Sequence, residues 1–403
     1  MHGKARPSVT GRRLQFGDTT ELYLTGMPAH DGDPVRQARD LFASIRHHLN
    51  EAGARLFCER VFATREAMRV IDAVRAEEYG DLDDGIPPTR LLVEPGERGG
   101  LIGVQVHAIA SPAPPQAMRC CSRIDGMAAR IVEQGGHRWL FVNGLSVSAL
   151  DGGGDHAQPA RSPLAPPEPG VQAARMFTCA GCFLRQGGAT MRSVARTWLW
   201  LGDVCAWYDR LNDVRRQFFE REGLIDPATM TRHLPASTGI GISTSADSIC
   251  AMDMIALPGR EDELRFLESG GDQESAFAYG SAFSRATVAP MPAGDTLFIS
   301  GTAAIDDRGD TEAIGQIETQ IRNTLAHVRA LLRQQGCDDR HVLTALAYCK
   351  NKAVEQVFRE RFAELTWPQV TMIGEVCRPE LLFEVEVTAS AATLTGGEID
   401  SCM

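Results

Sequence analysis

The chain has 403 residues and a formal charge of −11, long enough for two or three domains and the wrong charge balance for general nucleic-acid binding, which relies on Lys and Arg density. Its 43% apolar and 23% charged residues are ordinary for a soluble globular protein, and no stretch approaches the length of a transmembrane span. The basic segment Met1–Arg13 lacks the apolar core of a secretory signal, and eleven scattered cysteines fit free thiols better than a disulfide framework, so a cytoplasmic location without membrane partners is expected.

In chain order, one arrangement recurs three times, and self-similarity of this kind governs the whole fold. Leu22–Gly26 reads as a strand running into a glycine. An amphipathic helix follows over Pro34–Gly53, then an apolar strand ending Val61-Phe62-Ala63, a helix over Ala67–Tyr79, and closing strands Thr89–Val93 and Leu101–Ala108. Ser111–Pro115 is a Pro-rich exit. The second copy opens at Trp139–Gly144 and is interrupted by Asp151–Gly170, a Gly/Pro/Ala/Asp-rich stretch expected to be a loop insertion. It resumes with a helix over Val171–Gly187, a strand over Ser193–Leu201 and a helix over Ala206–Glu222, where Trp207, Leu211, Val214 and Phe218 fall at helical spacing. Strands Ser237–Ser243 and Ile249–Leu257 close it, and Gly270–Glu274 links it to the third copy. There the elements are strand Leu297–Gly301, helix Ile314–Leu332, strand Val342–Tyr348, helix Val354–Leu365, and closing strands Val370–Val376 and Leu381–Thr388.

The pattern predicts an α+β fold of three fused repeats, at 14–112, 122–262 and 275–392, each a mixed sheet with helices on one face and its two closing strands paired. Fusion makes the interfaces of a closed ring intramolecular, so a monomeric pseudo-trimer is expected. Small-molecule pockets favour clefts between such units, and in a fused chain the clefts are free to diverge.

No P-loop, H-E-x-x-H, EF-hand loop or G-x-S-x-G elbow is present. Cys179-Ala-Gly-Cys182 has no second pair nearby to complete a four-ligand zinc site, and it and Cys120-Cys121 read as buried small hydrophobes. Neither metal nor cofactor is expected. The candidates for chemistry are charges embedded in apolar strands. Arg196 interrupts Ser193–Leu201, Arg215 lies on the following helix and Arg285 in Ala282–Ala286. Their planar forks suit a ligand with more than one carboxylate. Glu384 and Glu386 share a strand face, where desolvation in a cleft would make a carboxyl a usable acid near neutral pH. Arg378-Pro379-Glu380 reads as a hairpin turn bringing Cys377 near Glu384. Gly239 reads either as a strand bulge or as a place for a ligand to approach the backbone.

Leu297-Phe-Ile-Ser-Gly301, Gln320–Leu325 and Phe383–Glu386 resemble the reactive-intermediate deaminase (RidA/YjgF) superfamily, whose trimers carry clefts between subunits. Arg196-Thr-Trp-Leu, Trp207–Arg215, Pro235–Gly241 and Val376–Leu382 together resemble the chorismatases. The resemblance is strong over Ser122–Ala392 and looser over Leu14–Ala110. It implies a cofactor-free conversion of chorismate to pyruvate and a benzoate or dihydrobenzoate, with Glu384 as the acid protonating the enolpyruvyl methylene. Arg196, Tyr208, Arg215 and Arg285 would position the substrate. Glycine at 239 together with cysteine at 377 matches the branch that makes 3-hydroxybenzoate; the alternatives are the hydrolytic, dihydroxycyclohexadienoate-forming branch and the branch making both 3- and 4-hydroxybenzoate. An imine deaminase is disfavoured because the strand before the last carries no arginine between Gln369 and Glu375, and a non-catalytic ligand-binding protein would not need Arg196, Arg215 and Glu384 together.

Overall fold

The computed structural model describes residues 7–29, 33–96, 99–119, 128–147, 168–229, 231–244, 248–271 and 273–392; most of the Asp151–Gly170 insertion and Cys120-Cys121 lie outside them. The first unit contains strands β1 (Ser8–Phe16) and β2 (Thr19–Met27), helix α1 (Pro34–Ala52), β3 (Arg55–Ala63), α2 (Arg65–Tyr79), β4 (Thr89–Leu92) and β5 (Leu101–Ala110). The second contains β6 (Gln116–Arg119), β7 (Ala128–Gln134), β8 (His137–Ser146), α3 (Pro169–Gln186), β9 (Val194–Leu201), α4 (Val204–Arg221), β10 (Ala236–Ile240) and β11 (Cys250–Ala256). The third contains β12 (Arg265–Leu267), β13 (Ala286–Met291), β14 (Gly294–Ala303), α5 (Ile317–Gln334), β15 (Val342–Cys349), α6 (Lys352–Arg361), β16 (Gln369–Ile373) and β17 (Phe383–Ala389).

The three sheets share one topology: β1-β2-β5-β3-β4, β6-β7-β8-β11-β9-β10 and β12-β13-β14-β17-β15-β16. The expected pairing of the two closing strands is not what forms. In the third sheet β16 runs parallel to β15 on one side, while β17 lies antiparallel to β15 on the other; β4 and β5 flank β3 likewise. The last strand steps over its neighbour into the sheet centre, where both of its edges are hydrogen-bonded. The second and third sheets also begin upstream of the expected repeat starts, with edge strands at Gln116–Arg119 and Arg265–Leu267.

Helices form where caps and apolar stripes coincide. Asp33 accepts from the Arg36 N–H, Pro34 occupies the first turn, and Gly53 closes α1 in the left-handed region at φ 58°. Leu41, Phe42, Ile45 and Leu49 bury its inner face. Each sheet packs its own helix pair on one face, giving three separate cores. The opposite faces meet in a single shared core, to which Phe57 and Phe62, Trp198 and Trp200, and Leu346 and Tyr348 each bring one repeat's contribution.

Polar groups inside that shared core follow the repeat. Gln105, Asp253 and Glu386 occupy equivalent positions, opposite Arg60, Trp198 and Leu346 on the adjoining strand. Each reaches into the preceding repeat. Gln105 Nε2 donates to the Ala345 carbonyl at 2.8 Å. Asp253 accepts from Arg60 Nε at 2.9 Å, Thr89 Oγ1 at 2.8 Å and, within its own repeat, the Gly144 N–H at 2.7 Å. Glu386 accepts from Arg196 Nη2 at 2.9 Å and Trp198 Nε1 at 2.6 Å. Asp253 is fully buried, so Asp253→Ala leaves the Arg60 cation without its counter-ion in the core. A loss of about 3–5 kcal/mol is expected for breaking such a pair, read as a lowered denaturation midpoint; an unchanged midpoint would mean the pair does not join the repeats.

Candidate active site

One cleft between the second and third repeats collects six of the seven residues singled out from sequence: Tyr208, Arg215, Gly239, Arg285, Cys377 and Glu384. Tyr208 and Arg215 sit seven residues apart on α4, hence on one helix face. The helix begins with Asp203 in the left-handed region (φ 48°), and Trp207 is non-helical (φ −146°), its indole N–H held by the Gly202 carbonyl at 2.8 Å. This break aims the Tyr208 turn at the cleft. Gly239 lies in a regular stretch of β10 paired with β9, without a bulge. A Cβ there would stand 3.7 Å from both Leu201 and Tyr208, ordinary contact, so the glycine leaves space rather than relieving strain.

Cys377 reaches the cleft without the expected hairpin. After β16 the backbone pairs across the repeat boundary, the Gly241 N–H donating to the Glu375 carbonyl at 2.7 Å and the Glu375 N–H returning to Gly241 at 3.3 Å. That bridge, with the Cys205 thiol on the Val376 carbonyl, delivers Cys377 beside Tyr208. Burial pushes the Cys377 thiol up to about 12, so it is a neutral group near neutral pH. The Tyr208 hydroxyl lies in the same cleft as Ser281, Arg215 and Cys377, and burial raises its pKa.

Glu384 is 5% exposed and makes no hydrogen bond to another described residue. Its carboxyl lies against Gly301, where any Cβ would come within 2.0 Å of Glu384 Oε1. Burial first, and then the Glu386 charge, raise its pKa to about 8, with Arg196 opposing. At the equivalent position the other two repeats have Gly103 and Ala251. Glu386 thus follows the repeat, and Glu384 departs from it.

Arg215 and Arg285 are each 2% exposed, and among the described residues neither pairs with a carboxylate. Arg215 donates to the Asn212 side chain at 2.6 Å, and Arg285 makes two bonds to the Glu274 carbonyl. Burial lowers the Arg215 pKa, the mark of a cation lacking its anion. Arg196 is placed differently from the expectation: it lies behind the cleft wall, held by Glu386 and by Thr238 Oγ1 at 2.5 Å. Sequence reasoning missed Arg378, Tyr279 and Phe283. The rings stand between the guanidiniums, Tyr279 at 5.4 Å from Arg285 and 5.3 Å from Arg378, Phe283 at 5.6 Å from Arg215. Arg378 sits next to Cys377 in the quoted motif; Tyr279 and Phe283 lie in a segment with no periodic signal.

In this closed arrangement the void amounts to about 30 Å³, room for a water. Two larger clefts lie elsewhere. One, about 400 Å³, is lined by Met27, Ile102, Phe358, Phe362 and Gln369, and its Glu355 and Arg359 charges pair with each other at 2.9 Å. The other, about 410 Å³, is a groove between α3 and α4 containing Cys179. Neither combines a buried acid with buried cations that lack carboxylate partners, and the smaller cleft is the candidate on that chemistry.

Residues 274–392 match the family model described as Endoribonuclease L-PSP. A chorismatase crystal structure solved at 1.08 Å resolution is similar over 96% of this chain and 99% of its own, at 18% identity and a TM-score of 0.58. A Rid-family protein of unknown function from Yersinia pestis matches 32% of this chain over 99% of its own (23% identity, TM-score 0.26), and a YjgF-family member from Neisseria meningitidis 31% over 92% (20%, 0.24). No curated protein sequence matches the chain.

Because the folded protein holds a proton on Glu384 that the unfolded chain releases, stability is expected to fall as pH rises from about 4.5, the ordinary value, through about 8. Glu384→Gln removes this loss. Its Tm should therefore gain on wild type between pH 5 and pH 9; an offset constant with pH would place the Glu384 pKa at its ordinary value. By fold the chain is chorismatase-like, and its third repeat is similar to the Endoribonuclease L-PSP family.

Proposed function

We propose that the protein converts chorismate to 3-hydroxybenzoate and pyruvate in the cleft between its second and third repeats. The observation that carries this reading is a buried carboxyl, Glu384, in one cleft with two buried guanidiniums that lack carboxylate partners among the described residues. Such cations call for an anionic ligand, and chorismate is a dicarboxylate. An enol ether cleaves when its methylene carbon is protonated, and Glu384 supplies a proton held until about pH 8. Protonation leaves an oxocarbenium ion whose capture and C–O cleavage release pyruvate. Arg215 and Arg285 bind the carboxylates, while the Tyr208 hydroxyl and the neutral Cys377 thiol line the ring site. Gly239 leaves the space in which the ion is captured within the substrate. The alternative is hydrolytic capture of the same ion, giving the dihydrodiol.

The test is purified protein with chorismate, pyruvate followed through a coupled dehydrogenase, and the aromatic product identified chromatographically. Pyruvate and 3-hydroxybenzoate are expected; pyruvate at only the spontaneous rate would sink the reading, and a dihydrodiol would select the alternative. Glu384→Gln should reduce turnover by roughly 10²–10⁴-fold, the usual worth of a positioned acid. Because alanine fits at 239 without strain, Gly239→Ala should fold normally and shift the product ratio toward hydrolysis; an unchanged ratio would remove Gly239 from product control.

A further inference from the structure

The carboxylate closest to Glu384 along its own strand is the one that follows the repeat. Glu386 binds Arg196 Nη2 at 2.9 Å and the Trp198 indole N–H at 2.6 Å, and the Arg196 guanidinium stacks on Trp198 at 4.6 Å. Arg196 is 1% exposed, and a cation so placed must have a counter-ion. Glu384 and Glu386 lie on one strand face, about 7 Å apart along the strand, and both act on the Arg196 charge. Arg196 therefore has two carboxyl groups within its field and is bound to one of them.

The cleft between the first and second repeats shows what a guanidinium does in this fold when directed at a carboxyl in the shared core. Arg60, Thr89 and the Gly144 N–H fix Asp253 as an acceptor of three hydrogen bonds. Thr238 stands in its strand where Thr89 stands in the first repeat, but it bonds Arg196 and the Gly301 N–H. In this repeat the threonine oxygen helps hold the guanidinium, and Glu384 accepts no hydrogen bond from a described residue.

We propose that Glu386 is a positioning residue for the acid: by engaging Arg196 and Trp198 it keeps that guanidinium from pairing with Glu384, and so preserves Glu384 as a proton donor. The inference rests on the reading of Glu384 as the acid. The groups facing Glu384 are Glu386 on its own strand, Arg196 on β9, Tyr348 on β15, Tyr208 and Arg215 on α4, Cys377 and Arg378 after β16, and Arg285 before β13. Of these cations, Arg196 is the one whose charge opposes the proton on Glu384.

The experiment is a pH titration of full-length protein carrying glutamate ¹³C-labelled at the carboxyl, with the Glu384 resonance assigned by its loss in Glu384→Gln. In wild type the midpoint should lie near 8. In Glu386→Gln the like charge beside Glu384 is lost and Arg196 turns to Glu384, so the midpoint should drop by roughly 1–3 pH units, with the upper limb of the turnover–pH profile dropping alongside; in Glu386→Asp, which keeps the charge, any drop comes from the released Arg196 alone. Adding Arg196→Met to Glu386→Gln removes the released cation and should restore the high midpoint, a rescue that general loosening of the core would not give. An unmoved or raised midpoint in Glu386→Gln, or no recovery in the double variant, would overturn the inference. If Glu386→Gln does not fold, Glu386→Asp, which shortens the reach to Arg196, should lower the midpoint, and an unmoved value there overturns it equally. The titration needs no substrate. A moved midpoint without pyruvate release from chorismate would sink the functional reading while leaving this one standing.

Discussion

Three sheets turned inward onto one core leave no water for the polar groups between them, and the cross-repeat contacts of Gln105, Asp253 and Glu386 are the response to that constraint. A buried charge without a partner costs several kcal/mol, so each repeat must offer its neighbour a matched group. Arg60 to Asp253 and Arg196 to Glu386 are two such matches, and the neutral Gln105 to Ala345 bond is the third. Everything in the candidate cleft is read against this pattern. Glu384, Arg215 and Arg285 are buried and ionisable, yet none has an ion-pair partner among the described residues, and that is what separates them from the structural charges a few ångströms away.

The architecture was largely legible in the chain, because hydrophobic periodicity and the strand-then-glycine signal recur in each repeat. Helix α1 ends where Gly53 demands it, and Tyr208 and Arg215 share a face because helical spacing guarantees it. The order of strands within each sheet was not legible. Val370–Val376 and Leu381–Thr388 look like a hairpin from the short Arg378–Glu380 turn, and only long-range pairing decides that β17 inserts between β14 and β15. The same long-range pairing, Gly241 to Glu375, brings Cys377 to the cleft by a different route from the one local reasoning supplied.

Within the site, Arg196 was expected to bind ligand as a charge embedded in an apolar strand; it lies on the strand face that meets another repeat, where Glu386 and Thr238 hold it. The distinction between Glu384 and Glu386 was likewise invisible at the level of alternation, since both point the same way. It emerges only on superposing the registers, where Asp253 and Gln105 mark one position as common and Ala251 and Gly103 mark the other as unique to the third repeat.

Joining the three units in one polypeptide also changes how the cleft responds to dilution. Tyr208, Arg215 and Gly239 come from one repeat, and Arg285, Cys377 and Glu384 from the next. In a separate-chain ring, opening that seam and losing the partner are the same event. Here the tether keeps the two walls at an effective concentration in the millimolar range, whatever the abundance of the protein. Any parting of the seam is therefore an intramolecular, first-order process in which neither wall is lost to dilution.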